Sequence, residues 1–140
     1  MKIIENINNK FKEYDVILGF TSEIIINRLK EKKGIKIYLM HEALDQIKKD
    51  KYKEVIVQPL HLIAGLEYEK IVQVSSKYEE EFDKIEIGKP VFIEAKDYDN
   101  IVNIIVSKFK DLDDNKGIVL MGHGSKNFGN ISYKKLQNHI

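Results

Sequence analysis

Short continuous apolar runs alternate with amphipathic stretches along this 140-residue chain. The clearest runs are Val16–Leu18, Val55–Val57, Val91–Ile93 and Ile118–Met121. Each is unbroken, the pattern of strands covered on both faces. Ile85 and Ile87 form part of another short strand or lead into the third run. Between the runs, Ser22 is placed to N-cap a helix over Glu23–Lys33 that stops at Gly34. Met40, Ala43, Leu44 and Ile47 share one helical face, as do Ile71, Ser75, Tyr78 and Phe82. Asp97 is placed to cap a helix carrying Ile101, Ile104, Ile105 and Phe109. Strands separated by helices of this length imply right-handed crossovers and a parallel sheet. The expected class is α/β, an open parallel sheet with helices on both faces.

Both ends depart from that plan. The chain opens in a helical pattern (Ile3, Ile4, Ile7, Phe11) with no strand before it, and closes in another (Ile131, Leu136, Ile140). Either the domain is short and bounded by helices, or it is cut at both ends. Composition narrows the function. Lys and Arg number 23 against 22 Asp and Glu, so the charge of +1 gives no field that would gather nucleic acid or an anionic membrane. Arg28 is the sole arginine, which nearly removes bidentate guanidinium clamps. With no cysteine there is neither disulfide nor thiolate metal site, and any metal must bind through histidine and carboxylate. The start of the chain lacks the apolar stretch of a signal peptide and no segment reaches membrane-spanning length, so the expected location is cytoplasmic.

Ligands of open α/β sheets bind beyond the carboxyl ends of the strands. Two segments there carry reactive groups: Gln58–Lys70, and Met121-Gly122-His123-Gly124-Ser125. His123 stands between two glycines that permit unusual backbone angles and close approach of a bulky ligand. Its imidazole suits a first-row metal or a proton near neutral pH, but a turn histidine bonded to nearby backbone fits the position equally well. His61, flanked by leucines, reads as a half-buried histidine or as a ligand. Glu67 follows Gly65 at a helix start, where a carboxylate serves its helix or a site. His41 and His139 lie on helical stretches and are expected to be exposed, without a second ligand. A dinucleotide fingerprint fails because Asn127 stands where its third glycine belongs, which disfavours a flavodoxin-like nucleotide domain.

Taken together, VIVQPLHLIAGLEYEKI (Val55–Ile71), GIVLMGHGS (Gly117–Ser125) and GFTSEIIINRLKEKKGI (Gly19–Ile35) resemble the anaerobic sirohydrochlorin cobaltochelatases. The resemblance implies a type II chelatase fold similar to ferrochelatase, with two related α/β domains and a tetrapyrrole cleft. On it, residues 1–116 form a first domain lacking its opening strand, and 117–140 the first strand and part of the first helix of a second. It implies Co(II) insertion into sirohydrochlorin on the route to cobalamin, with Co(II) as substrate and no organic cofactor. His123 falls on the family's metal-binding and proton-accepting histidine, and Glu67 on a cleft-facing acidic position. The remaining ligands of the family, a glutamate and a histidine, belong to the second domain. His61, Gly122 and Gly124 are expected to line the substrate.

Insertion displaces two pyrrole N–H protons, so a base near neutrality is needed, and His123 or Glu67 would supply it. Because protons and metal compete for one imidazole, activity should fall below about pH 6. The alternative is a domain that holds metal or tetrapyrrole without turnover. A homo-oligomer is a further expectation: Ile118–Met121 would fill the slot of the absent first strand, within one chain or by exchange between copies.

Overall fold

A computed structural model describes residues 2–24, 26, 37–113, 115–122, 124 and 129–139. Among the described residues, helices are set between short strands in the order α1 (Lys2–Lys10), β1 (Gly19–Phe20), β2 (Tyr38–Leu39), α2 (Met40–Lys49), β3 (Glu54–Val57), α3 (Leu66–Ser76), β4 (Lys84–Ile87), α4 (Ala95–Lys108) and α5 (Asn130–His139). The α/β expectation holds. β1 pairs with β2 and β3 with β4, in separate two-stranded sheets. The chain divides into two compact units, 1–55 with 77–84, and 56–76 with 85–140, the division passing through β3 and β4.

In the first unit, β1 and β2 run parallel, Gly19 opposite Tyr38 and Phe20 opposite Leu39. Strand pairing thus begins just after Val16–Leu18 rather than on it. A parallel pair needs a crossover, and Ile26 N–H bonds Ser22 O at 3.2 Å, the turn at which the helix was expected to start. Residues 25 and 27–36, over which that helix was expected, lie outside the described residues. Helix α2 follows β2 directly, and the Glu42 carboxylate accepts the Leu39 N–H at 2.7 Å, satisfying a donor that the helix start leaves open. Its apolar face buries Ala43 and Leu44, as the spacing predicts. Gly19 lies close beneath it, since an added Cβ would stand 3.4 Å from Ala43 Cβ. Tyr78 hydroxyl donates to Asp45 at 2.7 Å, and its ring stacks on Phe82. Desolvation first, and then the bond to Asp45, push the Tyr78 phenol up to about 12. Helix α3 ends at Ser76, so Tyr78 and Phe82 project from a turn and not from the helix that their spacing suggested.

β3 and β4, whose later residues belong to the second unit, show how the chain reaches its loops. Lys84 N–H bonds Lys53 O and Gly88 N–H bonds Val57 O, an equal step along both strands that marks them as parallel. The same step brings Pro59 level with Pro90, both buried. Neither can donate to a ladder, and regular pairing stops there. The Gln58 side-chain amide takes over, donating to Pro59 O at 2.9 Å and Lys89 O at 3.3 Å. It fits because residue 88 is glycine: an added Cβ would lie 2.3 Å from Gln58 Oε1. Beyond the prolines, Val91 and Phe92 N–H groups bond His61 and Leu62 carbonyls, with one extra residue taken up on the Pro59 side. Val91–Ile93 therefore lies alongside the first loop without becoming a strand.

The core of this unit gathers Ile63, Phe92 and Tyr98, with Ile101, Tyr133 and Leu136 packed against them. Phe92 and Tyr98 stack at 4.9 Å between centroids, and Tyr98 stacks in turn on His139 at 5.4 Å. Helix α4 starts from Glu94, not Asp97. Asp97 acts from inside the first turn, its carboxylate taking the N–H groups of Ile93 at 3.0 Å and Glu94 at 2.7 Å. Those two bonds hold the Asp97 carboxyl below its ordinary range.

Ile118–Met121 is not a strand. Val119 and Met121 are 90% and 94% exposed, so the run does not fill a strand slot within its own chain. An apolar run becomes a strand only where a neighbour supplies hydrogen-bond partners.

Candidate functional site

The Gln58–Lys70 segment leaves β3 under firm constraint. Pro59, Ile63 and Gly65 are buried, and Leu60 and Leu62 are exposed. His61, between those leucines, is half-buried and fixed through its own carbonyl by the Val91 N–H at 3.0 Å. Its Nδ1 is buried with no hydrogen-bond partner among the described residues. Such an atom costs free energy unless a proton donor or a metal reaches it, so the ring can still accept a ligand. Gly65 O accepts the first helical bond of α3, from Glu69 N–H at 3.0 Å.

Glu67 stands in the first turn of α3, where the helix dipole favours a carboxylate. One oxygen, Oε1, takes the Lys70 ammonium at 2.7 Å, while Oε2 is buried. Both side chains of that ion pair are about half exposed, so the pair adds little stability. It does hold the carboxylate in one place, next to a cation that a divalent ion would have to displace.

The second segment is placed by α5. Gly124 has φ of +78°, a backbone state that side chains resist. Gly122 has no such angle; its reason is a neighbour, for an added Cβ would stand 2.7 Å from Tyr133 Cε1. His123 and Ser125 lie outside the described residues. Among the described residues no group of three or more His, Cys, Asp or Glu side chains is gathered as a metal would require. Nor is any described helix long and apolar enough to cross a membrane.

Of the other histidines, His41 is exposed on α2, and its carbonyl accepts the Tyr78 hydroxyl at 3.3 Å. His139 departs from expectation. Its side chain is 28% exposed, with Nδ1 2.6 Å from Asp99 Oδ1 and the ring on Tyr98. Tyr133 was also missed. Its helical spacing to Leu136 was the signal available, but spacing does not say what a helix face meets.

Residues 1–140 match the cobalt chelatase (CbiK) family. The sirohydrochlorin cobaltochelatase of Salmonella typhimurium is 31% identical over 119 residues, which are 85% of this chain and 45% of that protein. The sirohydrochlorin cobaltochelatase CbiKC of Nitratidesulfovibrio vulgaris is 27% identical over 135 residues, 94% of this chain and 48% of that protein. The chain spans about half the length of these curated relatives. A match over its whole length, carrying both histidine loops in order, means that the chain belongs to the cobalt chelatase family.

Proposed function

We propose that this chain provides part of a site in which Co(II) is inserted into sirohydrochlorin, a step toward cobalamin. The observation that carries the reading is the family match over residues 1–140, both histidine loops included. His123 serves as metal ligand and proton acceptor, and Gly122 and Gly124 let the flat macrocycle approach the backbone on either side of it. Glu67 is the second proton acceptor. Its place in the first turn of α3 supports that role. His61 lines the substrate from the stretch that leaves β3. Residues 1–116 belong to a first domain and 117–140 lead into a second. Co(II) and the tetrapyrrole are substrates, and the reaction asks for no organic cofactor. The near-neutral charge supports a small-molecule partner rather than nucleic acid or an anionic lipid surface.

The test is spectroscopic. Co(II) and sirohydrochlorin are added to the chain, and the macrocycle absorption and proton release are followed. Insertion should appear as a spectral change with protons released, and should be lost in His123→Ala with the fold kept. Full rate in His123→Ala would remove the assignment. A spectral change that saturates without proton release would assign the chain to binding without turnover.

A further inference from the structure

The pairing of β3 with β4 stops at a gap that one side chain fills. Gly88 N–H bonds Val57 O, and in a parallel pair such bonds recur at every second residue. The next would run from the N–H of residue 90 to Pro59 O, but residue 90 is proline and has no N–H. The Gln58 carboxamide donates to that same Pro59 carbonyl at 2.9 Å, and its nitrogen also donates across to Lys89 O at 3.3 Å. Only the nitrogen end of an amide can serve two carbonyls, so the partners determine which way the group points. Its oxygen end lies over Gly88, where an added Cβ would stand 2.3 Å from Oε1. Gln58 is exposed between half-buried Val57 and buried Pro59, so what it contributes is two donated bonds and not burial. Just beyond, the Val91 N–H takes His61 O at 3.0 Å and the Phe92 N–H takes Leu62 O at 2.8 Å.

We propose that Gln58 is a positioning residue: its nitrogen serves the carbonyl that Pro90 cannot, ties it to Lys89, and so fixes the stretch carrying His61 against Lys89–Phe92. The inference rests on the proposed place of His61 beside the tetrapyrrole. Gln58 acts through the backbone. The bond to Pro59 O aims the amide, and the bond to Lys89 O joins the two stretches. Gly88 belongs to the same device, because a side chain there would occupy the place of the carboxamide.

The experiment uses the full chain and two readings: amide hydrogen exchange at Val91 and Phe92, and sirohydrochlorin affinity from its absorption. Gln58→Glu is the sharpest variant, since a carboxylate keeps the shape of the amide but turns two oxygens toward two carbonyls. It should speed both exchange rates about tenfold and weaken sirohydrochlorin about fivefold. Gln58→Ala and Gly88→Ala remove the same two bonds, the second by pushing the amide aside. Their double variant should therefore lose no more than the larger single loss. Exchange in Gln58→Glu as slow as in the parent, or additive losses in the cycle, overturn the inference. A lowered melting temperature with exchange and affinity unchanged would mark a structural role alone, which also overturns it. His61→Ala is run alongside. If it weakens sirohydrochlorin while Gln58→Glu does not, the positioning role is overturned. If it binds as the parent does, or the parent does not bind, the place of His61 beside the substrate fails. The exchange rates at Val91 and Phe92 then decide the role of Gln58 by themselves.

Discussion

Val55–Val57 and Ile118–Met121 are both continuous apolar runs that deliver the chain to a histidine, yet only the first acquires a strand beside it. The first run pairs with β4, the prolines end the pairing, and the loop beyond stays bonded through the carbonyls of His61 and Leu62. The second run ends with Val119 and Met121 open to solvent. Side-chain character is nearly the same in the two. What differs is whether another strand comes alongside, which no local composition encodes. The two loops are accordingly held in different ways, one by backbone hydrogen bonds and core contacts, the other by a glycine angle and a tyrosine ring.

The largest break in this contrast should come from Phe92→Ala. Phe92 is 4% exposed and stacked on Tyr98, and its N–H holds Leu62 O, so its ring supports the first loop from below. Truncation should cost about 3–5 kcal/mol in urea denaturation. A midpoint equal to the parent's would mean that the first loop is no better supported than the second.

A smaller effect is expected at Asp97, which anchors the chain as it leaves Val91–Ile93. Its carboxyl is depressed by the bonds from Glu94 and Ile93. Its stabilisation is therefore fully present above the ordinary value of 3.8 and is lost as pH falls through the lower folded value. Asp97→Asn should unfold more easily than the parent at neutral pH, and the gap should close as pH drops below that range. Denaturation midpoints across an acid series check this; a gap that does not vary with pH would assign the two bonds no weight.

The smallest effect belongs to the second run. Val119→Ser should change stability by no more than about 0.5 kcal/mol, because the side chain leaves water neither before nor after folding. A loss as large as that of Phe92→Ala would show that the run is buried in solution and erase the contrast.

The α/β class and the buried Ala43–Leu44 face of α2 could be read from spacing, whereas Ile104 and Phe109, expected on the apolar face of α4, stay exposed and the helix buries Tyr98 instead. β2 at Tyr38–Leu39 could not be read, because a two-residue strand leaves no periodicity. Val91–Ile93 misled because its apolar character is that of a strand, while Pro90 before it removes a donor the ladder needs. His139 misled in the opposite sense: helical spacing predicted exposure, and the partners that cover it, Tyr98 and Asp99, come from a helix distant in sequence. Glu67 was legible as the start of a helix, but its bond to Lys70 depends on rotamers that spacing leaves free.

The facing prolines have one more effect. Because side chains alternate along extended backbone, sliding Gln58–His61 by a single residue against Lys89–Phe92 would turn buried groups outward. It would also set a proline ring opposite a carbonyl that now receives an N–H. Pro59 and Pro90 thus work as a stop against slippage, and keep the register in which the carbonyl of His61 receives the Val91 N–H.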